Sequence, residues 1–270
     1  MPDPILEARN VSVYFGGVRA LADVSFAVER EKIFGIIGPN GAGKTTLLNT
    51  ISAVYRPRTG AVLVDGAPIT GLPPHRLAKL GVARTFQIVQ PFAHMTVREN
   101  VLVGALFGTH VKHDAQEATE HALARTGLAP KGAFLPPQLT LAERKRLEVA
   151  RALAMRPRIL LLDEVMAGLN HTEIERAIDL FRQLRDDGLT IIIIEHVMRA
   201  VLALADRLMV LNFGAKLAEG PPADIIQNPA VIEAYLGARF TRQASSSRPP
   251  REGAGVVRAE PALTHTSTPQ

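Results

Sequence analysis

The chain has 270 residues, 47% hydrophobic and 21% charged, a balance that excludes wholesale disorder and is long enough for a sizeable buried core. Its longest apolar stretches, Leu189–Ile194 and Val101–Gly108, fall short of the roughly 18 to 20 residues a membrane-spanning helix needs; the N-terminus has no secretory pattern, and zero cysteines exclude disulfides, thiolate metal sites and a cysteine nucleophile. The net charge of +5 sits mostly in residues 239–270, where five arginines face two glutamates, so residues 1–238 lack the basic stripe that tracks nucleic-acid phosphates and a cytosolic location without a nucleic-acid partner is expected.

Taken in chain order, Leu6–Phe15, Val24–Glu29 and Ala61–Asp65 alternate apolar and polar residues and end in turn residues, which predicts an antiparallel accessory sheet. Ile33–Gly38, Ile159–Leu162, Thr190–Ile194 and Leu208–Leu211 are short, continuous apolar runs separated by helical patterns, the signature of parallel strands covered on both faces. Helices are expected at Lys44–Ala53, Leu141–Met155, Thr172–Asp187 and Val197–Leu204. The Pro- and Gly-rich stretch from 72, lying between two core strands, predicts an inserted helical subdomain over about 72–155. The prediction is thus one α/β domain over 1–238 with a mainly parallel core sheet, followed by a disordered basic tail over 239–270.

The first buried run leads into Gly38-Pro39-Asn40-Gly41-Ala42-Gly43-Lys44-Thr45-Thr46, which fits G-x-x-x-x-G-K-[ST]. Glycines at these positions let backbone N–H groups turn toward phosphate oxygens at a helix N-terminus, Lys44 reaches the β- and γ-phosphates, and Thr45 offers a hydroxyl to Mg²⁺. The second buried run ends in Asp163-Glu164, where one carboxylate can hold Mg²⁺ and the next can orient an attacking water. Together they predict a P-loop NTPase.

The order of further elements resembles the ATP-binding subunit of ABC transporters over roughly residues 5–237. Arg84-Thr85-Phe86-Gln87 looks like that family's Q-loop, and Ile194-Glu195-His196 places a histidine where the family has its switch histidine. The resemblance implies that Gln87 joins Thr45 and Asp163 around Mg²⁺ and that His196 senses the γ-phosphate. Phe15, before Gly16-Gly17, stands where an aromatic stacks on adenine, with Tyr14 as the competing candidate. Leu139-Thr140-Leu141-Ala142-Glu143 replaces the Leu-Ser-Gly-Gly-Gln signature; Thr140 keeps the hydroxyl, Leu141 and Ala142 lose glycine's freedom, and Glu143 brings a charge that Arg144 or Arg146 would have to offset. In Val165–Asn170 the family's frequent Asp is Asn170, which can still cap the next helix.

The resemblance also implies ATP hydrolysis in a head-to-tail dimer with an identical or paralogous cassette, Thr140 to Glu143 acting in trans. It further implies membrane permease subunits at the inner face of the cell membrane and, indirectly, an extracytoplasmic solute-binding protein. The segments Arg84-Thr85-Phe86-Gln87, Gly168-Leu169-Asn170, Glu195-His196-Val197-Met198 and Val231–Gly237 together look like the subfamily importing branched-chain amino acids and related amides. Other cargoes, such as an exported lipid or polysaccharide, and a non-transport role on nucleic acid or ribosomes are the alternatives.

Overall fold

The computed structural model describes residues 3–85, 91–108 and 114–235. The chain opens with strands β1 (Leu6–Phe15), β2 (Val18–Val28) and β3 (Ile33–Ile37), then helix α1 (Lys44–Ile51), strands β4 (Thr59–Val64) and β5 (Ala67–Pro68), helix α2 (Pro74–Lys79) and strand β6 (Val82–Arg84). Helices α3 (Val97–Leu106), α4 (Ala115–Arg125) and α5 (Leu141–Ala154) follow, then β7 (Ile159–Asp163), α6 (His171–Asp186), β8 (Thr190–Ile194), α7 (Met198–Leu204), β9 (Arg207–Asn212), β10 (Ala215–Gly220) and α8 (Pro222–Gln227). Residues 229–235 are helical.

The strands form two sheets, an antiparallel one in the order β2-β1-β4-β5 and a six-stranded one in the order β10-β9-β3-β8-β7-β6. In the second, β9, β3, β8, β7 and β6 run parallel and only β10 is antiparallel. The four apolar runs therefore occupy the sheet centre, where every residue of β3, β7 and β8 is buried.

Their alternate side chains build two different cores. Phe34, Ile36, Ile192 and Ile194 face the accessory sheet and α1, where Phe26 stacks on Phe34 with centroids 5.3 Å apart. Ile33, Leu160, Leu162, Ile191 and Ile193 face α6, which presents Ile174, Ile178, Phe181 and Leu184 at helical spacing. Burying one such side chain contributes about 1.5–3 kcal/mol, so the sheet is held from both faces. A third cluster, including Val101, Leu123, Leu128 and Leu147, joins α3, α4 and α5 into a helical unit.

The stretch over 72–155 is not wholly helical, which corrects the expectation. Val82–Arg84 is an edge strand paired with β7, Val82 opposite Ile159 and Arg84 opposite Leu161. Three residues carry too little periodicity to be read from sequence, and pairing with β7 makes them a strand. β2 begins six residues earlier than expected, at Val18, and β10 is a strand beyond those the sequence predicts. Gln87 and the tail over 239–270 lie outside the described residues.

Candidate functional site

The strand order sets the chemistry. With β8 between β3 and β7, the carboxyl ends of these three parallel strands lie side by side, so the loop 38–43, the pair Asp163-Glu164 and Glu195-His196 converge at one edge of the sheet. A cavity of about 1030 Å³ opens there, lined by Gly41, Gly43, Lys44, Thr45, Thr46 and Glu164 together with His196 and, from β2 and the last hairpin, Val18, Arg19 and Phe213. Gly38, Pro39 and Asn40 also line it, whereas Ala42 of the same loop is buried and does not.

Gly43 caps α1 in a left-handed conformation, φ 99°, without any side-chain bond, so the first-turn N–H groups of α1 keep no side-chain partner and face the loop. Lys44 is buried, and its Nζ donates to the carbonyls of Gly38 at 2.8 Å and Pro39 at 3.0 Å. Burial pushes the ammonium pKa down, an effect that Glu164 and Asp163 oppose. An anionic ligand beside it would favour the charged form.

Asp163 is 2% exposed; Arg84 donates to its Oδ2 at 3.1 Å, while Oδ1 is buried with no hydrogen-bond partner. Burial raises this carboxyl despite Arg84. An orphaned carboxylate oxygen at the end of a strand suits a hard divalent cation. Mg²⁺ takes only one or two carboxylates and completes its shell with water and phosphate. Among the described residues no group of three or more His, Cys, Asp or Glu forms a self-contained metal site, which that mode does not require.

Glu164 adopts a left-handed backbone, φ 49°, which its neighbours hold. Its N–H donates to Ile194 O at 2.9 Å and its carbonyl accepts from Lys145 Nζ at 3.0 Å, the latter reaching across from α5. Its Oε1 lies 2.7 Å from His196 Nε2. Behind both sits Glu195, 1% exposed, whose Oε1 accepts from Met166 N–H at 2.6 Å and whose Oε2 accepts from His196 N–H at 3.3 Å. Burial raises the Glu195 carboxyl. Glu195 and Lys145 thus fix the loops that carry Glu164 and His196, roles that sequence reasoning missed because their partners are backbone groups distant along the chain.

Phe15 is not among the residues lining the cavity. Its ring rests edge-on against Tyr55, centroids 5.2 Å apart, and Tyr14 lies beneath the guanidinium groups of Arg19 and Arg58. Thr140 to Glu143 also lie away from this cavity. Thr140 caps α5, accepting from Glu143 N–H at 3.3 Å, and the Glu143 carboxylate turns back to accept from Thr140 N–H at 3.0 Å. Arg144 does not offset the Glu143 charge: Lys131 does, at 2.7 Å, with Arg146 at 3.9 Å, and it holds the carboxyl below its ordinary range. Asn170 caps α6, accepting from Glu173 N–H at 3.0 Å.

A family model described as ABC transporter matches residues 21–167, and one described as branched-chain amino acid ATP-binding cassette transporter matches 215–241. The high-affinity branched-chain amino acid transport ATP-binding protein BraF of Pseudomonas aeruginosa is 40% identical over 253 residues, covering 88% of this chain and 99% of its own. A solved ATP-binding cassette of an ABC transporter in its ADP conformation superposes with a TM-score of 0.79 at 31% identity, covering 87% of this chain and 99% of that one. A dimeric cassette in a post-hydrolysis state, bound to ADP and Pi, gives 0.72 at 25% identity, covering 80% and 98%.

Proposed function

Because this chain belongs to the ATP-binding subunits of ABC transporters, with full-length relatives among the branched-chain amino acid transport proteins, we propose that it energises uptake of branched-chain amino acids or related amides through membrane permease subunits. It is an ATP-hydrolysing transporter subunit. The observation that carries the mechanism is the Glu164–His196 pair, 2.7 Å apart at the mouth of the phosphate-loop cavity.

In this reading the backbone N–H groups of Gly41 and Gly43, the start of α1 and the Lys44 ammonium hold the phosphates of ATP. Lys44 would exchange its bonds to the Gly38 and Pro39 carbonyls for phosphate oxygens, so its present contacts hold it beside its target. Thr45, Gln87 and the free Oδ1 of Asp163 would hold Mg²⁺, which when bound neutralises charge on the phosphates. Glu164 accepts a proton from the attacking water, and His196 bonds the γ-phosphate and orients Glu164. Phe15 would reach adenine by turning its ring away from Tyr55.

Thr140 to Glu143 would complete the site of a second cassette, identical or paralogous, in a head-to-tail dimer. The exposure of Thr140 and Leu141 at the start of α5 supports this, as does the neutralisation of Glu143 by Lys131, which removes a repulsion toward phosphate. No helix among the described residues is long and apolar enough to cross a membrane. By its kinship with the ATP-binding subunits of ABC transporters, the subunit would sit peripherally on the permease at the cytoplasmic face.

The test is uptake of labelled leucine, isoleucine, valine, urea and short amides in cells lacking the gene, complemented with wild type or Lys44→Ala. Uptake restored only by wild type is the expected result. Unchanged uptake across the panel, with the purified protein still hydrolysing ATP, would overturn the cargo.

A further inference from the structure

Among the residues lining the nucleotide cavity, Phe213 has no part in the phosphate chemistry, yet it is 89% exposed, more than any other large hydrophobic side chain described. It occupies the first central position of the two-residue turn joining β9 to β10, where Asn212 pairs with Ala215. Positive φ values of 45° at Phe213 and 78° at Gly214 define a type I′ turn, whose central residues are favoured to be Asn-Gly. A bulky aromatic at that position accepts left-handed backbone strain and gains no burial in return. Such a combination marks a side chain retained for a contact outside the fold.

The turn is also fastened in place. Gly214 N–H donates to the carbonyl of Ala42 in the phosphate loop at 3.0 Å, and the Gly214 carbonyl accepts from Ala22 N–H of β2 at 2.8 Å. The start of that same strand brings Val18, itself 68% exposed, and Arg19 to the cavity wall. The backbone that carries Phe213 is therefore fastened to the loop that binds phosphate, and its side chain and Val18 both line a cavity large enough for a whole nucleotide.

We propose that Phe213 is a nucleotide-binding residue, its ring packing against one face of the base of the ATP whose phosphates the loop 38–43 holds. The assignment rests on the nucleotide site described above and adds an apolar wall that Phe15, turned onto Tyr55, does not supply in this conformation. Stacking of this kind tolerates any purine because every base presents a π face, so Phe213 sets affinity for a nucleoside and not for adenine alone.

The chain contains no tryptophan, so Phe213→Trp places a single indole at the proposed contact. Its emission should change on titration with ADP or GDP and stay constant with inorganic tripolyphosphate. Phe213→Asn tests the same point through opposite signs: Asn suits the turn, so the variant should unfold at higher urea while binding ADP roughly tenfold more weakly, within the range for loss of base stacking, with tripolyphosphate affinity unchanged. ADP affinity equal to wild type in Phe213→Asn, or equal weakening toward ADP and tripolyphosphate, would overturn the proposal. A wild-type protein that bound neither ADP nor tripolyphosphate would instead overturn the nucleotide site on which it rests.

Discussion

The phosphate loop offers two glycines whose replacement by alanine should fail in opposite ways. Gly38 is buried at φ 154°, and a Cβ built on it collides with the Leu211 carbonyl, lying 3.1 Å from its carbon and 3.2 Å from Ala42 Cβ. The obstacle is backbone of the neighbouring strand β9, which cannot move without breaking its pairing with β3. Overpacking of this kind costs about 1–3 kcal/mol, and the unfavourable φ adds on the order of 1 kcal/mol, so Gly38→Ala should destabilise the protein by about 3 kcal/mol. Gly41 has φ 80° but nothing within 4 Å of a built Cβ, which projects into open space at the cavity. Gly41→Ala should therefore lose only about 1–2 kcal/mol from backbone strain, while the added methyl keeps phosphate from the loop. Urea unfolding of the apo proteins gives the stabilities, and isothermal titration with ATP gives the affinities. Gly38→Ala unfolding within about 0.5 kcal/mol of wild type, or Gly41→Ala proving the less stable of the two, would refute the reasoning.

Glu164→Gln should lower kcat by about 10²- to 10⁴-fold, as expected for loss of a general base, and leave ATP bound long enough to be recovered with the protein by gel filtration; turnover near the wild-type rate would remove Glu164 from that role. Glu195→Gln retains size but replaces one carboxylate oxygen, an acceptor, by an amide NH₂ donor facing a backbone N–H, so kcat should fall about tenfold, the scale of one misplaced hydrogen bond, with KM nearly unchanged; an effect confined to KM would show that Glu195 does not position Glu164 and His196. Glu143 is held below its unfolded pKa mainly by Lys131, so the stability it adds is present above the unfolded value and lost as pH falls through the folded value. Glu143→Gln should therefore lower urea stability at pH 7 by about 0.5–1 kcal/mol, allowing for partial screening of Lys131, and by less on acidification; a difference independent of pH would contradict the ion pair.

Elements whose signal is local were legible in the residues alone. Continuous β-branched and leucine runs such as Ile191–Ile194 can be satisfied only by burial on both faces, so they had to become central strands. The spacing of Gly38, Gly43 and Lys44 sets a backbone cradle wherever it is placed, and Asn170 and Thr140 announce the helices they cap. Short elements were illegible because three residues such as Val82–Arg84 have no periodicity of their own and become a strand only through β7. Which distant groups meet depends on the folded arrangement of the strands. The strand order β3-β8-β7 brings Glu164 within 2.7 Å of His196, Glu195 and Lys145 hold their loops through backbone groups, Lys131 and not Arg144 neutralises Glu143, and the β9–β10 turn carries Phe213 to a cavity that Phe15 does not line. Hydrogen bonds and ion pairs act over about 3 Å in space, whatever the separation along the chain, so residue identity states what each group can do and the sheet topology states to whom.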